Sequence, residues 1–195
     1  GDRIRNLGLN FGAPGDRRDG DDVLWMEFPR VGGDSPDIEI EVTGDALQFH
    51  RQHALEISGE LPWVTGSNAE GVRRVTITLL KKKKETNSST EESSVPQDRY
   101  QIELWFSELA ATKPGQRQFE IRVNGEVVRA AVDIMAAAGK TRHGHRLDLG
   151  VMKLGRKLTL ELNSTEASDL PPVLSGIRLR QTLIPIEKKD VNQPE

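Results

Sequence analysis

The sequence predicts an all-β protein, an antiparallel β-sandwich with at most short helical turns. Three observations predict it. Apolar and polar residues alternate with a period of two in many segments. An Asn-Gly pair sits between two such segments, as in a tight hairpin. Helical periodicity is almost absent. One dry face and one wet face per strand is typical of two antiparallel sheets packed against each other.

Six segments show the alternation clearly. In each of them every second residue is apolar, and the residues between are mostly polar or charged, so each segment has one face for a core. The apolar residues of the six segments are Ile38, Ile40 and Val42; Val75, Ile77 and Leu79; Tyr100, Ile102, Leu104 and Phe106; Leu147, Leu149 and Val151; Leu158, Leu160 and Leu162; and Ile177 and Leu179.

The clearest local signal is the hairpin FEIRVNGEVVRA, residues 119–130. Asn124-Gly125 supplies the two residues with positive φ that a type I′ turn requires. A regular ladder from this turn pairs Ile121 with Val128 and Phe119 with Ala130 on one face. On the other face it pairs Glu120 with Arg129, two opposite charges directly across the strands.

The length of 195 residues indicates one large β domain. We expect residues 1–20 to form an extension with the first strand, residues 21–185 to form the sandwich, and residues 186–195 to form a tail. Residues 81–97 are polar and of low complexity, and predict a mobile loop. Residues 135–138 predict one helical turn that Gly139 ends. Because Gly1 is not preceded by Met, we expect the chain to be cut from a larger protein.

Composition excludes several classes of function. The net charge of −3 does not provide the positive electrostatic field that would attract nucleic acid. The chain has no Cys, which excludes disulfides and thiolate metal sites. No apolar run approaches the roughly 20 residues that span a bilayer, so direct membrane insertion is not expected. No cofactor is predicted, and calcium stays open because scattered Asp residues leave no reliable signature.

The candidate motifs for catalysis and for metal binding lack residues that these functions require. AGKT at residues 138–141 resembles the end of a phosphate-binding loop, but Ile134 stands where the first glycine is required. The pairs His143-x-His145 and His50-x-x-His53 lack an obvious carboxylate-rich surrounding, so no metal site is predicted. No Gly-x-Ser-x-Gly elbow is present. None of the 30 acidic residues forms a pair singled out for glycoside hydrolysis. We therefore predict a non-enzyme.

From Tyr100 onward the order of motifs is specific: YQIELWFSEL, PGQRQFEIRVNGEVV, VDI, a strand of alternating Leu, KLTLEL and LPPVLSGIRL. It resembles the malectin and malectin-like carbohydrate-binding family, with matches at Gln116-Arg117, Phe119, Asn124-Gly125 and Asp133. Upstream, LGLNFGAPG, DVLWMEFP and LQFHRQH resemble its first three segments. The opening segment also resembles regions that follow quinoprotein-type β-propellers in some large bacterial proteins.

The resemblance implies a jelly-roll, galactose-binding-like sandwich in a periplasmic, cell-surface or secreted protein. It implies a weak carbohydrate site made of loop aromatics and a carboxylate, since a pyranose stacks on a ring while its hydroxyls need fixed polar partners. The family's acidic residue falls on Asp169, and its tyrosines fall near Phe49 and Trp25. Its adjacent Tyr-Phe pair falls on Ala110-Ala111, which carry no rings. The candidate carbohydrate-binding residues are Trp25, Phe49, Trp63, Trp105 and Asp169.

Each candidate has a structural alternative. Trp25 and Phe49 suit a core as well as a stacking surface. Trp105 points to the polar face of its strand, where the opening segment or another domain could cover it. Trp63 could close one end of the sandwich, and Asp169 could serve only a turn. The sequence therefore leaves two hypotheses: a module that binds oligosaccharide or polysaccharide, and a structural or protein-interaction domain, with a neighbouring domain as partner, that has lost the sugar site.

Overall fold

The computed structural model describes residues 3–31, 36–80 and 97–182. They form strands and only two short α-helices. The strands are β1 (Asn6–Phe11), β2 (Arg17–Arg18), β3 (Leu24–Phe28), β4 (Ile40–Arg51), β5 (Ser58–Gly59), β6 (Ser67–Thr78), β7 (Asp98–Phe106), β8 (Phe119–Val123), β9 (Glu126–Val132), β10 (His143–Leu154), β11 (Lys157–Ser164), β12 (Val173–Leu174) and β13 (Gly176–Thr182); the helices are α1 (Pro62–Thr65) and α2 (Ile134–Ala138), with a 3₁₀ turn at Ala54–Glu56.

The strands form two sheets. The seven-stranded sheet has the order β2-β3-β1-β13-β7-β10-β5. In the six-stranded sheet the order is β12-β6-β11-β8-β9, and β4 also pairs with β6. Nearly all pairings are antiparallel, whereas β1 with β3 and β10 with β5 are parallel. The all-β sandwich predicted from the alternation is confirmed.

One core fills the space between the sheets. Every second residue of the central strands points into it, so Ile102, Leu104, Ile177 and Leu179 are fully buried. The first strand, β1, belongs to the seven-stranded sheet, since it pairs with both β13 and β3. The sandwich therefore begins inside the segment 1–20. Most of the predicted loop at 81–97 and the whole predicted tail at 186–195 lie outside the described residues.

The predicted hairpin is present, but its register beyond the turn is different from the expected one. Asn124 and Gly125 have φ of 50° and 86°, as expected. After two regular pairs the ladder shifts, so that Ile121 faces Arg129 and Phe119 faces Val132. The shifts bury Val132 rather than Ala130 against the core.

Two further predictions differ from the structure because of register shifts, one in the β8–β9 hairpin and one on β10. Glu120 is not opposite Arg129; it accepts a hydrogen bond from Arg122 Nε at 2.6 Å. On β10 the register shifts between Asp148 and Gly150. Val151 is therefore half exposed, while Leu154 is buried. The predicted row is therefore confirmed at Leu147 and Leu149, which face the core, and wrong at Val151, because the bulge exchanges the faces of the strand. The predicted helical turn is confirmed as α2, whose Asp133 side chain accepts from Ala136 N–H and which Gly139 ends at φ 73°.

A second, smaller core lies on the outer face of the seven-stranded sheet. It consists of Val23, Trp25, Val64 and Trp105. Trp25 stands opposite Gly8 across β1 and β3. A Cβ on Gly8 would overlap the Trp25 indole, and one on Gly176 would come within 2.9 Å of it. The two glycines therefore let the indole lie flat across the sheet.

We predict that Gly8→Ala destabilises the protein by about 1–3 kcal/mol, the usual cost of overpacking. The added methyl group displaces Trp25 and loosens the second core. Urea unfolding followed by tryptophan fluorescence measures the free energy of unfolding. Gly20→Ala is the matched control, because Gly20 has open space around its Cβ position. Equal stability of the two variants would contradict the prediction.

Candidate functional site

A cleft of about 580 Å³ opens beside the second core, where three segments of the chain meet. These segments are the loop after β1, the end of β4 with the 3₁₀ turn, and α1 with the start of β6. The cleft is lined by Asn10, Ala13, Pro14, Gly15, Asp16, Arg17, Arg51, Gln52, His53, Ala54, Trp63, Gly66 and Ser67.

Trp63 forms the aromatic wall of this cleft. It lies on α1, which begins at Pro62, a residue suited to the first helical position. The helix follows Leu61, whose φ of 44° turns the chain sharply. One side of Trp63 packs edge-to-face with Trp25, with ring centroids 5.9 Å apart. The guanidinium of Arg17 lies 4.8 Å from the centroid of the Trp63 ring.

Polar side chains hold the three segments of the cleft together. Asn10 Nδ2 donates to the Trp63 carbonyl at 3.3 Å, and Ser67 Oγ donates to Asn10 Oδ1 at 3.1 Å. Arg51 donates from Nε and Nη2 to the carbonyl of Gly12, at 2.9 and 2.7 Å. The polar wall is therefore preformed, because its side chains are fixed by bonds to the protein.

A second cavity of about 160 Å³ lies next to the cleft and shares Gln52 with it. It contains an ionic network around Arg117, whose side chain is 3% exposed. Arg117 pairs with Glu108 at 2.8 Å and with Glu70 at 2.8 Å, and also donates to the Pro171 carbonyl. Glu70 in turn lies 2.8 Å from His50 Nε2. The charged side chains of this cavity therefore form ion pairs with one another.

The network also holds the loop after β7. Glu108 Oε1 accepts hydrogen bonds from the backbone N–H groups of Ala110 and Ala111, at 2.9 and 2.8 Å. Burial on its own raises the pKa of Glu70, but the hydrogen bond and charge of Arg117, with those of His50, lower it overall. Glu70 is therefore held as a carboxylate, and the network has the character of a structural tie.

Two predicted stacking residues are buried. Trp25 is 0% and Trp105 1% exposed, and their ring centroids are 6.3 Å apart in an edge-to-face arrangement. The Trp25 Nε1–H donates to Asp19 Oδ2 at 2.8 Å. Neither ring offers a face to a ligand, which corrects the expectation of stacking surfaces at these positions. Trp25, in the opening segment of residues 7–29, packs on Trp105. Covering by this segment is one of the alternatives that the sequence left open.

Three predicted residues remain accessible, but they do not lie together. Trp63 is half-buried in the cleft. Phe49 on β4 is 38% exposed and contacts Phe28, with ring centroids 6.2 Å apart. Asp169 is exposed in the loop before β12, where its backbone N–H donates to the Gln116 carbonyl. Neither Phe49 nor Asp169 lines the cleft.

The polar residues of the cleft, chiefly Asn10, Arg17 and Arg51, were not predicted from the sequence. Asn10 lies in LGLNFGAPG, and Arg51 lies in LQFHRQH, so the segments were noticed but their polar side chains were not. The signal was the position of these side chains at strand ends, where loops place functional groups. Nothing in the sequence indicated that α1 brings Trp63 beside them.

The histidine pairs are in contact with other side chains of the protein, His50 with Glu70 and His143 with Ser58. Within residues 3–31, 36–80 and 97–182, no three His, Asp or Glu side chains are grouped as metal ligands. His143 Nδ1 instead lies 2.8 Å from Ser58 Oγ. Burial and the neighbouring His143 lower the pKa of His145. No helix in the described part of the chain is long and apolar enough to cross a membrane.

The family comparison matches the second half of the chain. A model of the Malectin domain matches residues 78–188, which is more than half of the 195 residues. A search of curated protein sequences found no match.

Solved structures with the same fold come from enzymes and receptors. A Bacteroides uniformis β-glucuronidase 2, covalently bound to cyclophellitol-6-carboxylate aziridine, has a TM-score of 0.64 at 17% identity, over 91% of this chain and 18% of that chain. The ANXUR1 extracellular domain from Arabidopsis thaliana has a TM-score of 0.64 at 14% identity, over 91% and 48%. The complex of plant peptide RALF23 with FER and LLG2 has a TM-score of 0.59 at 16% identity, over 92% and 48%.

These likenesses concern the fold, since all three identities are below 20%. The chain spans less than a fifth of the glucuronidase and about half of the two plant chains.

We predict that Glu70→Gln lowers the free energy of unfolding at neutral pH by about 1–2 kcal/mol, in the lower part of the range for charged hydrogen bonds because Glu70 is partly exposed. Because the folded protein lowers the pKa of Glu70, this stabilisation is fully present above the ordinary value of 4.5. It is lost as the pH falls through the lowered pKa. The difference between wild type and variant should therefore shrink on acidification.

The measurement is urea unfolding of both proteins at several pH values from 7 downward. Glu161→Gln is the control, since Glu161 pairs with Arg74, which is mostly exposed. We expect it to change stability by less than about 1 kcal/mol. A difference for Glu70→Gln that is constant across the pH range would contradict the assignment.

Proposed function

Because the chain belongs to the Malectin domain family, we propose that it is a non-catalytic carbohydrate-binding module and that the ligand binds in the cleft beside Trp63. The observation that carries this proposal is the combination of one aromatic wall with fixed polar side chains in a single preformed cleft. Such a combination suits a sugar, which has an apolar C–H face and a rim of hydroxyl groups.

The size of the cleft supports this assignment. Its volume of about 580 Å³ lies within the range of about 300–1,000 Å³ that is usual for small-molecule sites. Arg51, Gln52 and His53 line the same cleft as Trp63 and supply polar groups to it. A single open site of this type usually binds with a dissociation constant between about 1 mM and 1 μM, which is −4 to −8 kcal/mol.

The small number of carboxylates in the cleft supports sugar binding rather than sugar hydrolysis. Of the residues that line it, only Asp16 carries a carboxylate. Its Oδ1 accepts a hydrogen bond from the backbone N–H of Glu27 at 2.9 Å, which ties the loop to β3. Glycoside hydrolysis generally requires two carboxylates on either side of the scissile bond.

We propose that the module belongs to a larger extracytoplasmic protein and presents its cleft to an oligosaccharide or polysaccharide. The receptor ANXUR1 uses the same fold in an extracellular domain, which supports this location. Phe49 and Asp169 are exposed outside the cleft, and we retain them as proposed contacts for a longer glycan.

A second candidate function is protein interaction. The small cavity beside Ala110 is occupied by the Arg117 network, and Ala110 and Ala111 provide no aromatic side chains there. In the matching plant complex, FER is bound to the peptide RALF23 and to LLG2. On this hypothesis the chain retains the sandwich and contacts a neighbouring domain or protein.

We predict that Trp63→Ala weakens glycan binding at least tenfold, a loss of about 1.4 kcal/mol or more. The substitution removes the aromatic wall of the cleft together with the ring that supports the Arg17 guanidinium. A glycan array identifies the ligand, and isothermal titration calorimetry gives its dissociation constant for the wild type and the variant. Circular dichroism at rising temperature verifies that Trp63→Ala stays folded.

Phe49→Ala and Asp169→Asn are the matched controls, because both side chains are exposed and lie outside the cleft. We expect them to change the affinity for a short oligosaccharide less than threefold, a difference of about 0.6 kcal/mol. Unchanged binding by a folded Trp63→Ala variant would exclude the cleft as the site. Absence of binding to every glycan would favour the protein-interaction hypothesis.

A further inference from the structure

We infer that the cleft selects a glycan that carries a carboxylate, such as a uronic acid residue. This inference rests on the proposed function, and it specifies the chemical class of the ligand. It comes from the side chains that line the cleft: the two guanidinium groups of Arg17 and Arg51 and the imidazole of His53, with Asp16 as the one carboxylate among the lining residues.

The two arginines differ from most other arginines of the protein in what they contact. Arg18, next to Arg17 in the chain, pairs with Asp22 at 3.1 Å, and Arg73 pairs with Asp45 at 2.7 Å. Within the described ranges, neither Arg17 nor Arg51 forms an ion pair with a carboxylate. The cleft therefore holds two guanidinium groups that have no ion-pair partner in the described ranges, and their two positive charges exceed the one negative charge of Asp16.

The position of Arg17 favours a carboxylate over a neutral sugar ring. Its guanidinium lies over the Trp63 ring, 4.8 Å from the centroid. A neutral pyranose would have to displace Arg17 in order to stack on that face. A guanidinium stacked on a ring keeps its N–H groups directed outward in its own plane, where they match the two oxygens of a carboxylate.

Arg51 and His53 provide further donors at fixed positions. Arg51 is held by two hydrogen bonds from Nε and Nη2 to the Gly12 carbonyl, which leaves Nη1 as a donor with a set direction. His53 Nδ1 accepts from the Leu55 N–H at 3.2 Å. In that arrangement His53 Nε2 carries the ring proton and is a donor. Donors fixed before binding cost less conformational entropy when an anion binds.

The test compares an acidic oligosaccharide with its neutral counterpart. Trigalacturonate and the same trisaccharide with its carboxyl groups reduced to alcohols are titrated by calorimetry into the wild-type protein. We expect the reduced trisaccharide to bind at least about tenfold more weakly, as is usual when a charge-assisted bidentate pair is lost. Binding of trigalacturonate should also weaken when the salt concentration is raised from 50 to roughly 500 mM.

Two variants locate the effect. Arg17→Gln should weaken trigalacturonate binding about tenfold and leave the reduced trisaccharide nearly unaffected, because only the charge contact is lost. Arg18→Gln is the matched control, since it removes an adjacent exposed charge that does not line the cleft, and it should leave both affinities unchanged. Both positions are exposed, so both variants should fold, which thermal unfolding verifies.

The outcomes separate this inference from the proposed function. Equal affinity for the acidic and the reduced trisaccharide would overturn the inference and leave the glycan-binding function in place. Equal effects of Arg17→Gln and Arg18→Gln would also overturn it, since they would assign the charge effect to the surface in general. Absence of binding to both trisaccharides and to every sugar of a glycan array would overturn the inference together with the proposed function.

Discussion

The packing of Trp25 across two glycines is the contact on which the candidate site depends. Gly8 and Gly176 leave a flat strip on the outer face of the seven-stranded sheet, and the Trp25 indole fills it. Trp105 and Trp63 then pack against Trp25 edge-to-face. Such aromatic pairs add about 0.5–1.5 kcal/mol each beyond the area that they bury. The second core thereby attaches α1 and the opening segment to the sheet, and the cleft forms between them.

The two cavities differ in how their charges are satisfied. In the small cavity Arg117 is buried between Glu108 and Glu70, and every charge has a partner within the protein. Removal of one partner from such a group is costly, because the other is left buried and unpaired. In the larger cleft Arg17 and Arg51 contact a ring and a backbone carbonyl. Neither guanidinium has an ion-pair partner in the described ranges, and this contrast is the reason why we propose the larger cleft, and not the small cavity, as the binding site.

Prediction from sequence succeeded where one local rule decided the structure. The apolar residues of β7, β11 and β13 are buried as their alternation indicates, because each side chain of a regular strand simply follows the pleat. It failed where a bulge shifts the register, in the β8–β9 hairpin and at Gly150 of β10. A bulge adds one residue and exchanges the faces, and competition for the shared core decides where it occurs. The burial of Trp25 and Trp105 is likewise not predicted by the alternation rule, because both side chains lie in a second core on the outer face of the seven-stranded sheet.

The sequence by itself determined the fold class, the Asn-Gly turn, the short helix before Gly139 and the family resemblance, because these depend on residues close together in the chain. Only the tertiary structure decided which aromatic residues are buried and which polar groups meet in the cleft. Asn10, Arg51 and Trp63 come from three separate segments, and their meeting depends on sheet order and on the packing of α1. Those are long-range properties, set by how the whole chain fills two cores.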